Sequence, residues 1–298
     1  MELTWLMKLR IAAAAVIGVV LIGIISWPSE SPPDPFGSLV LNEIGTHGAV
    51  TLLIMAFIAG LVSYFAAWPY GREIGILAVP FGLSLWAIKT GSTGGLMQLN
   101  PAAEQRMAIL SVLRWEPFFW LLVFAVGFAG VLLAQMIVAR LKKEKSPVKT
   151  HYSAKNFMNG MIAFVLSGLI SIFCIKIFAQ DTGVFDGRVG SVVAQPQIGQ
   201  VVYAVLLSFG IASFVAKAFL NANYNWPIIS SIIVTFFSVS TYMKQAVMSH
   251  FVEHWPSVFL PNAAVSILPI QMVTFGIIGS IAGYWAAVRY IYWRKHEM

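Results

Sequence analysis

The sequence predicts an all-α membrane protein, a polytopic helix bundle with about eight transmembrane helices. Hydrophobic residues make up 58% of the 298 residues and charged residues only 10%, whereas charged residues are roughly a quarter of a soluble domain. Eight windows are apolar over the length of about 20 residues that a bilayer span requires. A basic polar stretch, 142–153, separates two apolar halves, 1–141 and 154–298.

The eight predicted spans follow one another with short polar connections. Their windows are 9–27, 47–68, 72–89, 117–140, 155–178, 199–220, 227–247 and 265–291. The first window follows Lys8 and Arg10 in the manner of a secretion signal. No cleavage site of small residues occurs before Pro28, so we expect a retained membrane anchor.

The polar segment after the third span predicts a helix that lies at the membrane interface. Apolar residues between 107 and 113 favour contact with lipid, while Arg106 and Arg114 are expected to keep the segment out of the core. Asn100 followed by Pro101 is typical of a helix start, so we expect Asn100 to be the N-cap.

The distribution of charge predicts that both termini are cytoplasmic. With these spans, thirteen of the 19 Lys and Arg residues lie on the same side of the membrane as 142–153, whereas only four of the 12 Asp and Glu residues lie there. Short basic loops next to spans stay in the cytoplasm, which indicates a multi-pass protein of the bacterial inner membrane. Because topology accounts for the net charge of +7, we expect no nucleic-acid partner.

Recurrent pairs of small residues predict where the helices pack. Residues three positions apart share one helical face, and small ones allow helix backbones to approach closely in lipid. Such pairs occur in the second, fourth, sixth and eighth spans: Gly60 with Ser63, Gly127 with Gly130, Gly210 with Ser213, and Ser280 with Gly283. We expect all eight residues to face neighbouring helices. Their recurrence suggests a four-plus-four internal repeat, although unrelated membrane helices also converge on this pattern.

The sharpest chemical motif is His250-Phe-Val-Glu253-His254. It matches the spacing H-x-x-E-H, in which two histidines one turn apart bind zinc and the glutamate acts as a base. A further ligand downstream is missing, although His47 or Glu43 from another outer loop could complete a metal site. Interfacial residues on a short amphipathic turn would give the same pattern. We therefore predict no metal and no other cofactor.

Three lysines, Lys89, Lys176 and Lys244, lie near the outer ends of odd-numbered spans. Their stems can snorkel to the headgroups, so we expect them at the outer headgroup level with lipid as their partner. The functional alternative is a positive vestibule for anions or lipid phosphates. The spans contain no central acid or histidine, which argues against a proton relay or bis-histidine haem. Their hydroxyl groups are expected to bond to their own helix backbone.

These observations leave three functional hypotheses. The preferred one is a non-enzymatic scaffold or accessory subunit of a larger membrane assembly, with lipids and other membrane subunits as partners. The first alternative is a transporter of a small solute, an anion or a lipid, built from two repeated halves. The second is a metal-dependent or lipid-modifying enzyme that acts at the outer face.

Overall fold

The computed structural model of the protein describes residues 4–27, 44–141 and 154–297, which form a largely helical bundle. The first half contains α1 (Trp5–Gly18), a π-helical continuation (Val19–Ile25), α2 (Thr46–Ala66), α3 (Gly71–Gly75), α4 (Ala78–Lys89), α5 (Thr93–Leu99), α6 (Ala103–Leu113) and α7 (Glu116–Leu141). The second contains α8 (Ala154–Phe178), β1 (Gly183–Asp186), β2 (Gly190–Ala194), α9 (Ile198–Leu220), α10 (Asn225–Tyr242), α11 (Gln245–His254), β3 (Phe259–Leu260) and α12 (Pro269–Glu297). The basic stretch 142–153 lies outside the described residues.

The described residues contain seven helices that are long and apolar enough to cross a membrane, or eight if α10 and α11 count as one bent span. The prediction of a helical bundle with seven or eight apolar helices long enough to span a membrane is confirmed for this part of the chain. Two of the boundaries that differ from the predicted windows have a clear physical reason. The seventh helix ends at Tyr242, where the chain bends by 71° into α11. The last helix begins at Pro269, because proline suits the first helical position, where no N–H is needed.

Each half arranges its four long helices in a ring. In the second half, α8 packs against α9 and α10, and α12 packs against the same two helices. In the first half, α1 packs against α2 and α4, and α7 packs against the same two. The halves meet where α12 contacts α4 and α7 and where α10 contacts α7.

The second and fourth spans, α2 and α7, touch backbone to backbone. A Cβ atom added at Gly60 would overlap the carbonyl oxygen of Gly127, and one added at Gly130 would overlap the carbonyl oxygen of Phe57. Ser63 is buried on the same side of α2, and its hydroxyl donates to the carbonyl oxygens of Gly60 and Gly75, both at 2.9 Å. The absence of side chains therefore sets the separation of these two helices.

The sixth and eighth spans, α9 and α12, cross in a similar way. A Cβ atom at Gly283 would overlap the carbonyl oxygen of Gly210, whereas one at Gly210 would lie 3.5 Å from the Gly279 carbonyl oxygen. A Cβ atom at Gly279 would likewise overlap the carbonyl oxygen of Leu206. The missing side chains of Gly279 and Gly283 on α12 thus permit this crossing, whereas Gly210 has room for a methyl group. Ser213 and Ser280 are both buried in the same helices.

A small sheet is added to the predominantly helical bundle that the sequence predicts. Its strand order is β1-β2-β3, and both pairs are antiparallel. The strands have four, five and two residues. Such short strands carry too little alternation of apolar and polar residues to be distinguished from loops in a sequence.

The sheet belongs to a folded cap at one end of the bundle, which we define as residues 90–115, 179–197 and 243–268. The cap has a buried apolar interior that is continuous with the core of the bundle. Its members include Leu96, Met97, Leu110, Val192, Val193, Met248, Phe251, Leu260, Val265 and Leu268. Each of these three segments connects two long helices, and we call them the three connections of the cap. Each connection is too short to bury a core alone, but together they do so.

The predicted interfacial helix is α6, with two corrections to its details. Asn100 is not its N-cap, a position that Ala102 occupies. Instead the Asn100 side-chain amide donates to the carbonyl oxygen of Leu96 at 2.9 Å and closes the end of α5. Arg106, expected at the surface, is only 6% exposed, and its Nε donates to the Asn100 carbonyl oxygen at 3.0 Å. The hydrogen bond and the long apolar stem make this burial tolerable.

The geometry of α6 also differs from a helix that lies along a membrane surface. It runs into α7 as a helical stretch of 39 residues, Ala103–Leu141. At about 1.5 Å per residue this stretch is roughly 58 Å long, about twice the thickness of a bilayer core. One end must therefore project beyond any membrane that α7 crosses, and α6 is the end that is built into the cap.

Candidate functional site

Asp186, at the end of β1, joins the β1–β2 hairpin to α11. Its Oδ2 accepts a hydrogen bond from Nε1 of Trp255 at 2.7 Å and lies 2.8 Å from Nε2 of His250. Its Oδ1 accepts the backbone N–H groups of Arg188 at 2.8 Å and Val189 at 3.1 Å. These bonds, and first of all the one with His250, hold the pKa of the Asp186 carboxyl well below its usual range.

The histidines of the H-x-x-E-H motif lie one turn apart on α11, and their rings stack with centroids 4.4 Å apart. Because an ionised carboxylate can only accept, Nε2 of His250 carries the proton in its bond with Asp186. Nδ1 of His254 lies 3.1 Å from the His250 carbonyl oxygen. Glu253 is exposed, with a carboxylate oxygen 3.9 Å from the same Nδ1. The motif is thus engaged with its own chain, chiefly through Asp186.

The structure does not assemble the predicted metal ligands. No group of three His, Cys, Asp or Glu side chains within 4–27, 44–141 and 154–297 could hold a metal ion. His47 is exposed on the first turn of α2, and Glu43 lies outside the described residues. That the protein binds no zinc stays a prediction. The partner that sequence reasoning missed is Asp186, which is 64 residues from His250 in the chain.

A second junction is centred on Gln195, which follows β2. Its side-chain Oε1 accepts the N–H of Gly94 at 2.9 Å, and its Nε2 donates to the carbonyl oxygen of Ser266 at 3.0 Å. Its own backbone N–H donates to the carbonyl oxygen of Val258 at 2.8 Å. One residue therefore links all three connections that build the cap. A lone glutamine in a loop carries no pattern from which this role could be predicted.

An open cleft with a volume of about 460 Å³ lies beside Gln195. It is lined by Gly91, Ser92, Gly94, Gly95, Gln98, Leu99, Gln195 and Val258. None of these eight residues has an ionisable side chain. The N–H of Gly94 is used by Gln195, and that of Gly95 donates to the Ser92 hydroxyl at 3.1 Å. The cleft therefore offers neutral polar groups and apolar surface rather than an acid–base or anion-binding site.

The three predicted lysines lie on different elements at the cap end of the bundle, and all are exposed. Lys89 ends α4, with its Nζ 5.4 Å from the centre of the Trp27 ring. Lys176 lies in the last turn of α8, and Lys244 precedes α11. None of the three side chains lies in a closed pocket, and their contact with lipid phosphates stays a prediction.

The helices of the second-half ring bury an unusual number of hydroxyl groups. Ten serine and threonine residues are buried there: Ser167, Ser171, Ser208, Ser213, Ser230, Ser231, Thr235, Ser238, Thr274 and Ser280. Only Ser230 and Ser231 return the expected bond to their own helix. Seven have no hydrogen-bond partner in the described part of the chain: Ser167, Ser171, Ser208, Ser213, Thr235, Thr274 and Ser280. In the corresponding helices α1, α2, α4 and α7, Ser63 is the one buried serine or threonine described.

Comparisons of the chain with protein-family models, with curated proteins and with solved structures each found no match. What bears on function is therefore the geometry of the chain itself, above all the two cap junctions, the cleft and the buried hydroxyl groups.

Proposed function

We propose that the protein is a non-enzymatic accessory or scaffold subunit of a larger membrane assembly, and that its cap binds a segment of a partner subunit. The observation that carries the proposal is the neutral cleft beside Gln195. Its chemistry, backbone and amide groups beside exposed apolar side chains, suits recognition rather than catalysis. The polar contacts of Asp186 and Gln195 are made within the cap, so the cleft has a rigid support.

The form of the cleft favours a partner chain over a free small molecule. Its volume of about 460 Å³ lies within the range of roughly 300–1,000 Å³ that is common for ligand sites. Because it is open, a free ligand would bury only part of its surface there. A side chain of a partner subunit would add contacts around the rim, where Leu99 and Val258 are already exposed.

Site-specific photo-cross-linking tests this proposal. A benzophenone amino acid at Leu99, irradiated in the native membrane, is expected to give a discrete protein adduct that mass spectrometry can identify. The same probe at Leu133, an exposed position on α7, is the matched control for contacts made by any bilayer-facing residue. Adducts at Leu99 that are missing, or identical to those at Leu133, would refute a partner in the cleft.

A steric variant gives a second test of the same site. Val258→Trp should fill the mouth of the cleft and reduce the amount of partner that co-purifies in mild detergent. Phe219→Trp, at a strongly exposed position near the end of α9, is the matched control. Undiminished co-purification with Val258→Trp would move the partner to another surface.

We further propose that the cap faces the outside and that both termini and 142–153 are cytoplasmic. The basic residues that flank the spans support this orientation. The common neighbour pattern of the two four-helix rings, and the glycine crossings between the second and fourth helices of each, support the four-plus-four repeat. Residues 1–141 and 154–298 expressed as two chains should then reassemble, and failure of the pair to associate would count against the halves as units.

Cysteine accessibility tests the orientation. In a Cys174→Ala background, Gly187→Cys at the tip of the hairpin, where a side chain has open space, should react with an impermeant maleimide in intact cells. Lys145→Cys should react only after the membrane is permeabilised. The reverse pattern would invert the proposed topology.

The buried hydroxyl groups favour one other function, transport of a small neutral solute through the second-half ring. Unsatisfied polar groups in a membrane interior are costly, and a passing solute or water could satisfy them. The described spans have no central acid, which fits an uncharged solute. Solute flux into proteoliposomes, reduced by Ser208→Ala with Ser280→Ala but not by Thr51→Ala, would support transport. Absence of flux for a panel of neutral solutes would leave the scaffold role in place.

A further inference from the structure

The β1–β2 hairpin presents a phenylalanine outward on a well-anchored support. Phe185 is 82% exposed, and its neighbour Val184 is 42% exposed. The next residue, Asp186, is tied to His250 and Trp255. An aromatic side chain held outward on a fixed strand indicates a surface that another apolar medium covers.

The height of the hairpin above the bundle follows from α11. This helix begins at Gln245, directly after α10 ends, and lies at 71° to it, so it crosses the end of the bundle instead of extending it. His250 and Trp255 therefore stay near the level at which the apolar helix ends. Asp186 bonds to both residues, which places β1 at that same level.

The adjacent helix α8 supplies continuity with the lipid-facing surface. Its exposed apolar side chains recur at a spacing of three or four residues up to its last turn: Ile162, Val165, Leu169, Phe173 and Ile177. β1 starts five residues after α8 ends, so their separation is at most about 17 Å. Two exposed cations flank the hairpin, Lys176 below it and Arg188 in its turn.

We infer that Phe185 inserts into the boundary between headgroups and acyl chains of the phospholipid leaflet on the cap side. Lys176 and Arg188 then lie where phosphate groups can pair with them. The inference rests on the membrane-spanning bundle and goes beyond the partner proposed for the cleft. Either can fail while the other stands, because the cleft is probed at Leu99 and the hairpin at Phe185.

Electron paramagnetic resonance on the full chain tests this insertion. A nitroxide is attached at Phe185→Cys, in a Cys174→Ala background, and the protein is placed in nanodiscs of phosphatidylcholine and phosphatidylglycerol. Phe173→Cys serves as the reference for lipid and Val258→Cys as the reference for the water-facing cap. The Phe185 label is expected to be relaxed more by oxygen than by a water-soluble nickel chelate, as at Phe173.

Each other outcome overturns the inference. Relaxation mainly by the nickel chelate, as at Val258, would place the hairpin in water. An immobilised label that neither reagent reaches would place Phe185 against protein, and would assign the hairpin to a partner subunit. Because Phe185 is exposed, its replacement should not unfold the cap.

Discussion

Gly283→Ala is expected to lower the free energy of unfolding by about 1–3 kcal/mol, the usual cost of overpacking. The added methyl group would overlap the carbonyl oxygen of Gly210, and a helix backbone cannot rotate away as a side chain can. In the same crossing, Gly210→Ala places its methyl group 3.5 Å from the Gly279 carbonyl oxygen, an ordinary contact. Since alanine is the better helix former, by up to about 1 kcal/mol, this control should be neutral or stabilising.

Thermal or denaturant unfolding of the two variants in one detergent decides the matter. A large loss at Gly283 with none at Gly210 identifies backbone contact as the cause. Equal effects of the two substitutions would mean that helix propensity or detergent, and not the crossing, controls stability. A second pair in other helices is Gly60→Ala, which would overlap Gly127, against Gly168→Ala, whose nearest neighbour is Ile233 at 3.6 Å.

Asp186→Asn is expected to release the hairpin from α11. Asparagine keeps the shape of aspartate, but all four partners of the carboxylate are N–H donors. In either orientation the amide nitrogen would therefore meet two donors, those of His250 and Trp255 or the backbone N–H groups of Arg188 and Val189. Hydrogen–deuterium exchange should accelerate in residues 183–194 and 245–255. Asp181→Asn, which changes an exposed acid in the same connection, is the matched control and should leave exchange unchanged. Intact protection in Asp186→Asn would show that packing alone holds the hairpin.

The same carboxylate predicts how cap stability depends on pH. Its pKa is lower in the folded protein than the value of about 3.9 in an unfolded chain. The stabilisation is therefore complete above about pH 4, and it is lost as the pH falls from there through the folded-state pKa. Protection of the hairpin from hydrogen exchange should decline in acid in the natural protein and stay low and flat in Asp186→Asn. Parallel acid profiles of the two proteins would exclude Asp186 as the titrating group.

The long helices could be predicted from the sequence because their cause is local. A run of about 20 apolar residues has to satisfy its backbone hydrogen bonds internally in lipid, and a helix does so. Small residues three positions apart likewise share a helical face whatever the rest of the chain does. Whether a given glycine has room for a side chain is not a local property, because it depends on how two helices cross. For that reason Gly210, which has room for a methyl group, differs from Gly283, which does not.

The cap could not be predicted, because its contacts join distant parts of the chain. Asp186 and His250 are 64 residues apart, and Gln195 reaches Gly94 across 101 residues. Each connection alone looks like a polar loop, and Arg106 looks like a surface residue. Arg106 lies on α6, against which α11 packs from the last connection. Because the contact with α11 could not be inferred from the sequence, the sequence indicated that α6 is an interfacial helix.

The hydrogen bonds of Gln195 determine the order in which the cap can form during synthesis. Its side chain bonds back to Gly94, 101 residues earlier, and forward to Ser266, 71 residues later. During synthesis the chain emerges from its N-terminal end. The first two connections can therefore be joined through Gly94 once Gln195 has been made, but the cap is complete only after Ser266 has been made. Closure of the cap thus marks a chain that has been synthesised past Ser266, and a chain truncated before that residue would lack the bond that joins the third connection to Gln195.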